Sequence, residues 1–359
     1  MKMVTRLLVC IGFILFPMSI IFSSAKVLPA GVWRFSGEQM NTVFEKYAIQ
    51  DYSGATGLGN FRFVPLKEFT LDHTAANAHV ELGYIPHDVA IMKSYTVSDF
   101  TMSAMYGISD TWMVSLSVPY VENMRTNTQA FVNAITAVDT SDSNIPPLVS
   151  KGKGIGDITV GTKWAMMPDL AFFGFCRGDF LKVGKDYSEI KQDYDGYSEE
   201  ATGAKEDVLI LGMNYDWNLG FNTLQLSGVT VLATEGLDRS FLDGKVMSVK
   251  KGPTYVISGD MTTALSEQVS LDTGAKVLYG LKDQFKDSVT GKWLYVEHSD
   301  AFAGEVTLGV HYKPWIFTDF SLSCTARLFN QITGDGVNEF PGRAEIAPAY
   351  RLGVVVYYK

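Results

Sequence analysis

Apolar and polar side chains alternate along this chain over stretches longer than a globular strand, and that alternation restricts its fold more than any other feature. In residues 301–313, Phe302, Gly304, Val306, Leu308, Val310 and Tyr312 share one face, and Ala303, Glu305, Thr307, Gly309, His311 and Lys313 share the other. Successive side chains of a strand point to opposite faces, so the segment reads as a strand with one oily and one polar side. It is longer than the usual strand of about 5–6 residues. It fits a tilted membrane strand of about 9–11 residues with its interfacial ends. The same alternation recurs in residues 99–106, 111–120, 157–164, 254–265 and 320–329, and several apolar rows end in an aromatic residue, such as Tyr106, Tyr120 and Trp164.

A soluble sandwich also alternates. Strand length, the order of the connections and the small and charged residues of the polar faces favour a closed wall around a wet interior. Short connections near residues 108–111, 168–169, 218–222, 266–268 and 314–318 take turns with long polar ones at 123–154, 184–205, 235–252, 281–299 and 331–343. Eleven strands fit between them, from Val97 to Tyr358, and bacterial barrels carry an even number. A twelfth comes from residues 32–47 or 76–85. The expected fold is therefore all-β, an antiparallel transmembrane β-barrel of 12 strands, or 14 if residues 32–47 and 60–71 both join 76–85. Residues 26–75 are read as extra wall or as an inward plug.

The start of the chain carries an export signature. Lys2 and Arg6 precede an apolar run over residues 7–22, and Ser23, Ser24 and Ala25 supply the small residues of a cleavage site. Residues 1–25 are expected to be a cleaved signal peptide and 26–359 the barrel, in the outer membrane of a Gram-negative bacterium. Beyond them no apolar run reaches the ~18 residues of a spanning helix. Cys176 and Cys324 make no disulfide framework. The net charge of −9 argues against nucleic acid, which needs a basic surface. Acidic loops would suit lipopolysaccharide bridged by divalent ions, so outer-membrane lipid and lipopolysaccharide are the expected surroundings. At the other end, Arg351, Gly353, Val356 and Tyr358 have the spacing of the terminal-strand signal read by the barrel-assembly machinery, although Lys359 follows the aromatic that is normally last.

Residues 154–164, Gly-Ile-Gly-Asp-Ile-Thr-Val-Gly-Thr-Lys-Trp, resemble an element of the meta-pathway phenol-degradation family of outer-membrane transporters. The preceding hairpin is similar too, through Tyr106-Gly107-Ile108-Ser109-Asp110, Val114 to Val118 and Pro119-Tyr120-Val121. So is the early Leu28-Pro29-Ala30-Gly31-Val32-Trp33. That family is grouped with long-chain fatty-acid channels. The resemblance implies passage of small hydrophobic or aromatic compounds and no catalytic residues.

The residues themselves carry no Gly-x-Ser-x-Gly elbow, His-Glu-x-x-His or Cys-x-x-Cys. Gly152, Gly154 and Gly156 precede a strand rather than a helix, which reads as a loop joining a strand and not a phosphate cradle. His73, His79 and His87 do not share one face, so no metal site, no cofactor and no enzyme activity are expected. The polar rows place Asp157, Lys163, Asp216, Asp260, Asp272, Lys276, Glu305, His311, Lys313, Arg327, Glu345 and Arg351 inside. They form either a selectivity lining or a salt-bridged filling. Met105, Met113 and Phe329 fall on the same inner row as candidate contacts for an apolar cargo. The function expected is passive passage of small hydrophobic or aromatic molecules. The alternative is a structural or adhesive surface barrel with a sealed lumen.

Overall fold

The computed structural model describes residues 25–51, 60–65, 87–132, 148–182, 184–186, 190, 192–193, 196–197, 199–203, 205–239, 246–286, 290–295, 301–332, 344–346 and 349–358. The signal-like residues 1–24 and the candidate strand 76–85 lie outside them.

Twelve strands form the wall: β1 (Trp33–Asp51), β2 (His87–Ser109), β3 (Trp112–Val132), β4 (Ile158–Met167), β5 (Leu170–Gly178), β6 (Val208–Asn218), β7 (Asn222–Ala233), β8 (Thr254–Ala264), β9 (Val269–Gly280), β10 (Ala301–Trp315), β11 (Thr318–Ile332) and β12 (Ala349–Tyr358). Each pairs antiparallel with the next. β1 pairs with β2 on one side and with β12 on the other, Trp33 facing both Tyr106 and Tyr358, so the ring closes. Closure leaves no edge strand to be satisfied by water or lipid. The twelfth strand is thus Trp33–Asp51. Asn60–Pro65 pairs only with residues 46–51, beyond the ring, and adds no wall.

The outer face is oily. Leu308, Val310 and Tyr312 on β10 and Leu322 on β11 are exposed, as are Leu209, Leu211 and Met213 on β6. Five of the six tryptophans, at positions 33, 112, 164, 217 and 315, stand exposed near the short turns. Tyr120, Tyr255 and Tyr279 stand near the long loops. Two aromatic girdles bound a lipid-facing band in this way.

The long connections differ from the sequence expectation. Residues 123–132 continue β3, and Leu148–Ile155 pairs with residues 120–127 above the membrane band. Likewise β11 runs on to Ile332, and Glu235–Arg239, Val246–Lys250, Gln284–Lys286 and Trp293–Tyr295 form a four-stranded sheet on the loop side. These extensions lie beyond the lipid band, and Asn123, Ser150, Val249 and Phe285 on them are buried against loop segments rather than lipid. They are held by backbone ladders, and they lack the sustained one-sided apolar row of the membrane strands.

At the turn side the chain enters the barrel through a tight reversal. Val32 N–H donates to Pro29 O at 3.1 Å, with Gly31 in the left-handed region at φ 78°. Gly31 N–H donates to Gly107 O, and Gly107 N–H donates to Val32 O. A Cβ on Gly107 would stand 2.1 Å from Pro29 O, so only glycine admits this approach. From there the chain crosses the turn-side end, and Ala25 N–H donates to Asp216 Oδ1 on β6 at 2.7 Å, five strands round the ring from β1.

Candidate functional site: the barrel lumen

The inner rows of β8 to β12 and of β1 join many of the charges expected inside into one polar wall. Lys276 on β9 and Glu305 on β10 are cross-strand partners, with Nζ 2.7 Å from Oε2. His311 is clasped between carboxylates, Nε2 at 2.6 Å from Asp272 Oδ2 and Nδ1 at 3.0 Å from Asp319 Oδ1. The Thr262 hydroxyl donates to Asp272 at 2.7 Å, and Lys313 stands 3.5 Å from Asp319. Ser258 donates to Asp260 at 3.4 Å. Arg351 on β12 pairs with Glu38 on β1. Alternation brings these groups inward, and strand register sets which of them meet.

Three further expected residues are placed by backbone register alone. Arg327 is the cross-strand partner of Glu305. Phe329 lies opposite Gly304, across a shift in register between Gly304 and Glu305. Glu345 sits on the short strand Ala344–Ile346, opposite Lys46 and beyond the ring. The side chains of all three lie outside the described residues. At the end of the chain, Gly353 pairs with Ser321 and Glu38, and Val356 and Tyr358 face outward.

Lys163 and Asp157 occupy different levels. Lys163, only 2% exposed, lies between Met113 and Phe173 in register and interacts electrostatically with Asp216. Met105 and Met113 are both buried on the inner row. Asp157 is buried where the loop side meets β4, and a Cβ on Gly203 would stand 2.7 Å from its Oδ1.

That contact belongs to a segment the sequence reading missed. Residues 199–203 lie on the inner face of the wall extension. Asn123 Nδ2 donates to Ala201 O at 2.8 Å, and the Ser150 hydroxyl donates to Glu200 Oε1 at 2.5 Å. Glu200 N–H donates to Lys151 O. The glycines of 152–156 make room for it. A Cβ on Gly152 would meet Glu200 O at 2.1 Å, and one on Gly156 would meet Thr202 O at 3.0 Å. Gly152→Val is expected to push residues 199–203 off the wall while the barrel stays folded. Limited proteolysis checks this, through cleavage within residues 184–205 that rises several-fold at unchanged heat-modifiable mobility. Nearby, Glu206 grips both Arg177 and Lys251, each at 3.1 Å, tying the loop-side approaches to β6 and β8 to the end of β5.

The loop-side half of the lumen is apolar across β5 to β10. Phe173, Phe175, Val208, Ile210 and Val231 form one buried cluster on the inner rows, flanked by Val229 and Ala233. Val256, Leu278 and Ala303 form a second, and Val229 packs against both. The signal for it is present in the sequence. Leu170-Ala-Phe-Phe-Gly-Phe and Val208-Leu-Ile-Leu are apolar on both faces, which a strand lining a polar pore has no reason to be. Among inner charges, Arg34, Glu38 and Asp319 also escaped the sequence reading, although Arg34 alternates with the outward Trp33 and Phe35.

An oily exterior, two girdles and a lumen apolar above and charged below define the class: a twelve-stranded membrane β-barrel. No family model and no curated protein sequence matches the chain. Among solved structures, an outer membrane channel from Pseudomonas putida F1 superposes with a TM-score of 0.60, over 93% of this chain and 98% of that one, at 11% identity. Likeness at that identity establishes the fold. A monoaromatic hydrocarbon channel, a TodX deletion mutant, reaches 0.41 at 10% identity over 92% and 90% of the two chains. A FadL homologue of Pseudomonas aeruginosa reaches 0.39 at 8% identity over 91% and 90%.

Proposed function

We propose that this protein is an outer-membrane channel that lets small hydrophobic or aromatic compounds pass down their gradient. The carrying observation is the apolar inner surface of Phe173, Phe175, Ile210, Val231, Val256 and Leu278, in a barrel whose outer face already meets lipid. A pore for sugars or ions has no use for such a surface, because polar solutes lose hydration against it without compensation. An apolar solute gains about 25 cal/mol for each Å² it hides from water. Below that surface, Asp260, Asp272, Lys276, Glu305 and His311 act as a charged filter whose balance of signs sets which solutes continue. In this reading the chain is exported by its N-terminal signal, inserted by the barrel-assembly machinery through its last strand, and surrounded by outer-membrane lipid and lipopolysaccharide.

Tracer flux into proteoliposomes tests the proposal. Benzyl alcohol is expected to enter several-fold faster than into protein-free vesicles, and arabinose at the protein-free rate. Correctly folded protein that passes neither solute sinks the proposal in favour of a sealed surface barrel.

A further inference from the structure

We propose that Arg34 forms a binding site, at the turn-side end of the lumen, for the carboxylate of a small planar aromatic acid. This rests on the channel reading and narrows its cargo.

Arg34 is the second residue of β1 and points inward, between outward Trp33 and Phe35. Its cross-strand partners are Met105 on β2 and Tyr357 on β12. Neither offers it a carboxylate. Its Nη1 lies 3.6 Å from Met105 Sδ, and its guanidinium carbon lies 6.0 Å from the centre of the Tyr357 ring. Its Nε is buried and makes no hydrogen bond. The contrast with the other inner arginines whose side chains are described is direct. Arg351 is paired with Glu38 and Arg177 with Glu206. Glu38, four residues further along β1, attracts Arg34 through space, but its carboxylate is engaged by Arg351.

The carboxylates nearby are shared with other cations, Glu38 with Arg351 and Asp216 with Lys163. Lys163 is near enough to repel Arg34, and the nearby Asp216 offsets only one of the two cations. A buried guanidinium N–H without an acceptor destabilises the fold unless something else supplies one. The planar fork matches a carboxylate in bidentate fashion. The ring of Tyr357 and the thioethers of Met105 and Met113 offer an aromatic body the apolar contacts it would seek. Such an acid would thus descend from the apolar loop-side lining to a charge-matched exit.

The test compares wild type, Arg34→Met and Arg34→Lys, each confirmed as folded by heat-modifiable mobility. Benzoate binding to the detergent-folded protein is read by calorimetry. Fluxes of benzoate, benzyl alcohol and acetate are read in proteoliposomes. Arg34→Met is expected to weaken benzoate binding and flux by about tenfold or more, with benzyl alcohol flux within twofold of wild type. Arg34→Lys should recover part of the loss. Acetate should bind far more weakly than benzoate, because it lacks the apolar body. Equal losses for benzoate and benzyl alcohol, or no loss for either, overturn the site. So does acetate binding as tightly as benzoate. If benzoate binding depends on Arg34 but no aromatic solute crosses the membrane, the site stands and the channel reading falls.

Discussion

Val306→Lys is expected to lower barrel stability by about 2–4 kcal/mol, while Thr307→Lys, one residue along, leaves it nearly unchanged. Val306 lies on the lipid-facing row of β10 with Leu308 and Val310, near the middle of the strand. A charge there has only hydrocarbon around it. Thr307 faces inward, its hydroxyl within 2.9 Å of that of Thr325, and looks toward a wall that already holds Asp272 and Glu305. An added ammonium meets carboxylates there. Urea unfolding in lipid vesicles reads the difference, supported by the folded fraction on heat-modifiable gels. Equal losses from both substitutions would mean that β10 presents its faces the other way round.

The second large effect comes from the inner wall. Lys276→Met is expected to cost about 3–5 kcal/mol, because it removes an ion-pair partner at 2.7 Å from a nearly buried carboxylate. Glu305 keeps 4% of its side-chain surface exposed, against 20% for Lys276. Adding Glu305→Leu should recover most of that loss, since an apolar pair of similar volume avoids desolvating either charge. Unfolding curves for the two single variants and the double variant give the coupling directly. A double variant as unstable as Lys276→Met alone would show that the pair is not what holds β9 against β10.

Much of the architecture was legible in particular residues. The alternation of residues 301–313 predicted both faces of β10, and the short turns predicted where five hairpins reverse. The count of eleven strands left the twelfth open between two segments, and ring closure identifies it as Trp33–Asp51, through pairing with both β2 and β12. The extensions were not legible. Residues 123–132 and 148–155 mix polar and apolar residues on both faces, so periodicity is silent there and only the ladder between them reveals strands. The inner apolar lining was half-legible. Its runs in β5 and β6 were apolar throughout, but nothing in a run says that both faces are covered. The glycines at 152, 154 and 156 read as a loop, and their role appears only when the backbone of Glu200 is found against the first of them.

The sequence by itself determined that this chain is a barrel and which side chains meet lipid. A strand's two-residue period is a local property, and long oily rows joined by alternating short and long connections are those of a membrane wall rather than a soluble sandwich. Only the tertiary structure decided which inner charges meet, and therefore that Arg351 finds Glu38 while Arg34, four residues from that same glutamate, faces a thioether and a ring. Partners across a sheet come from strand register and ring closure. These join residues more than three hundred positions apart, and no local pattern encodes them.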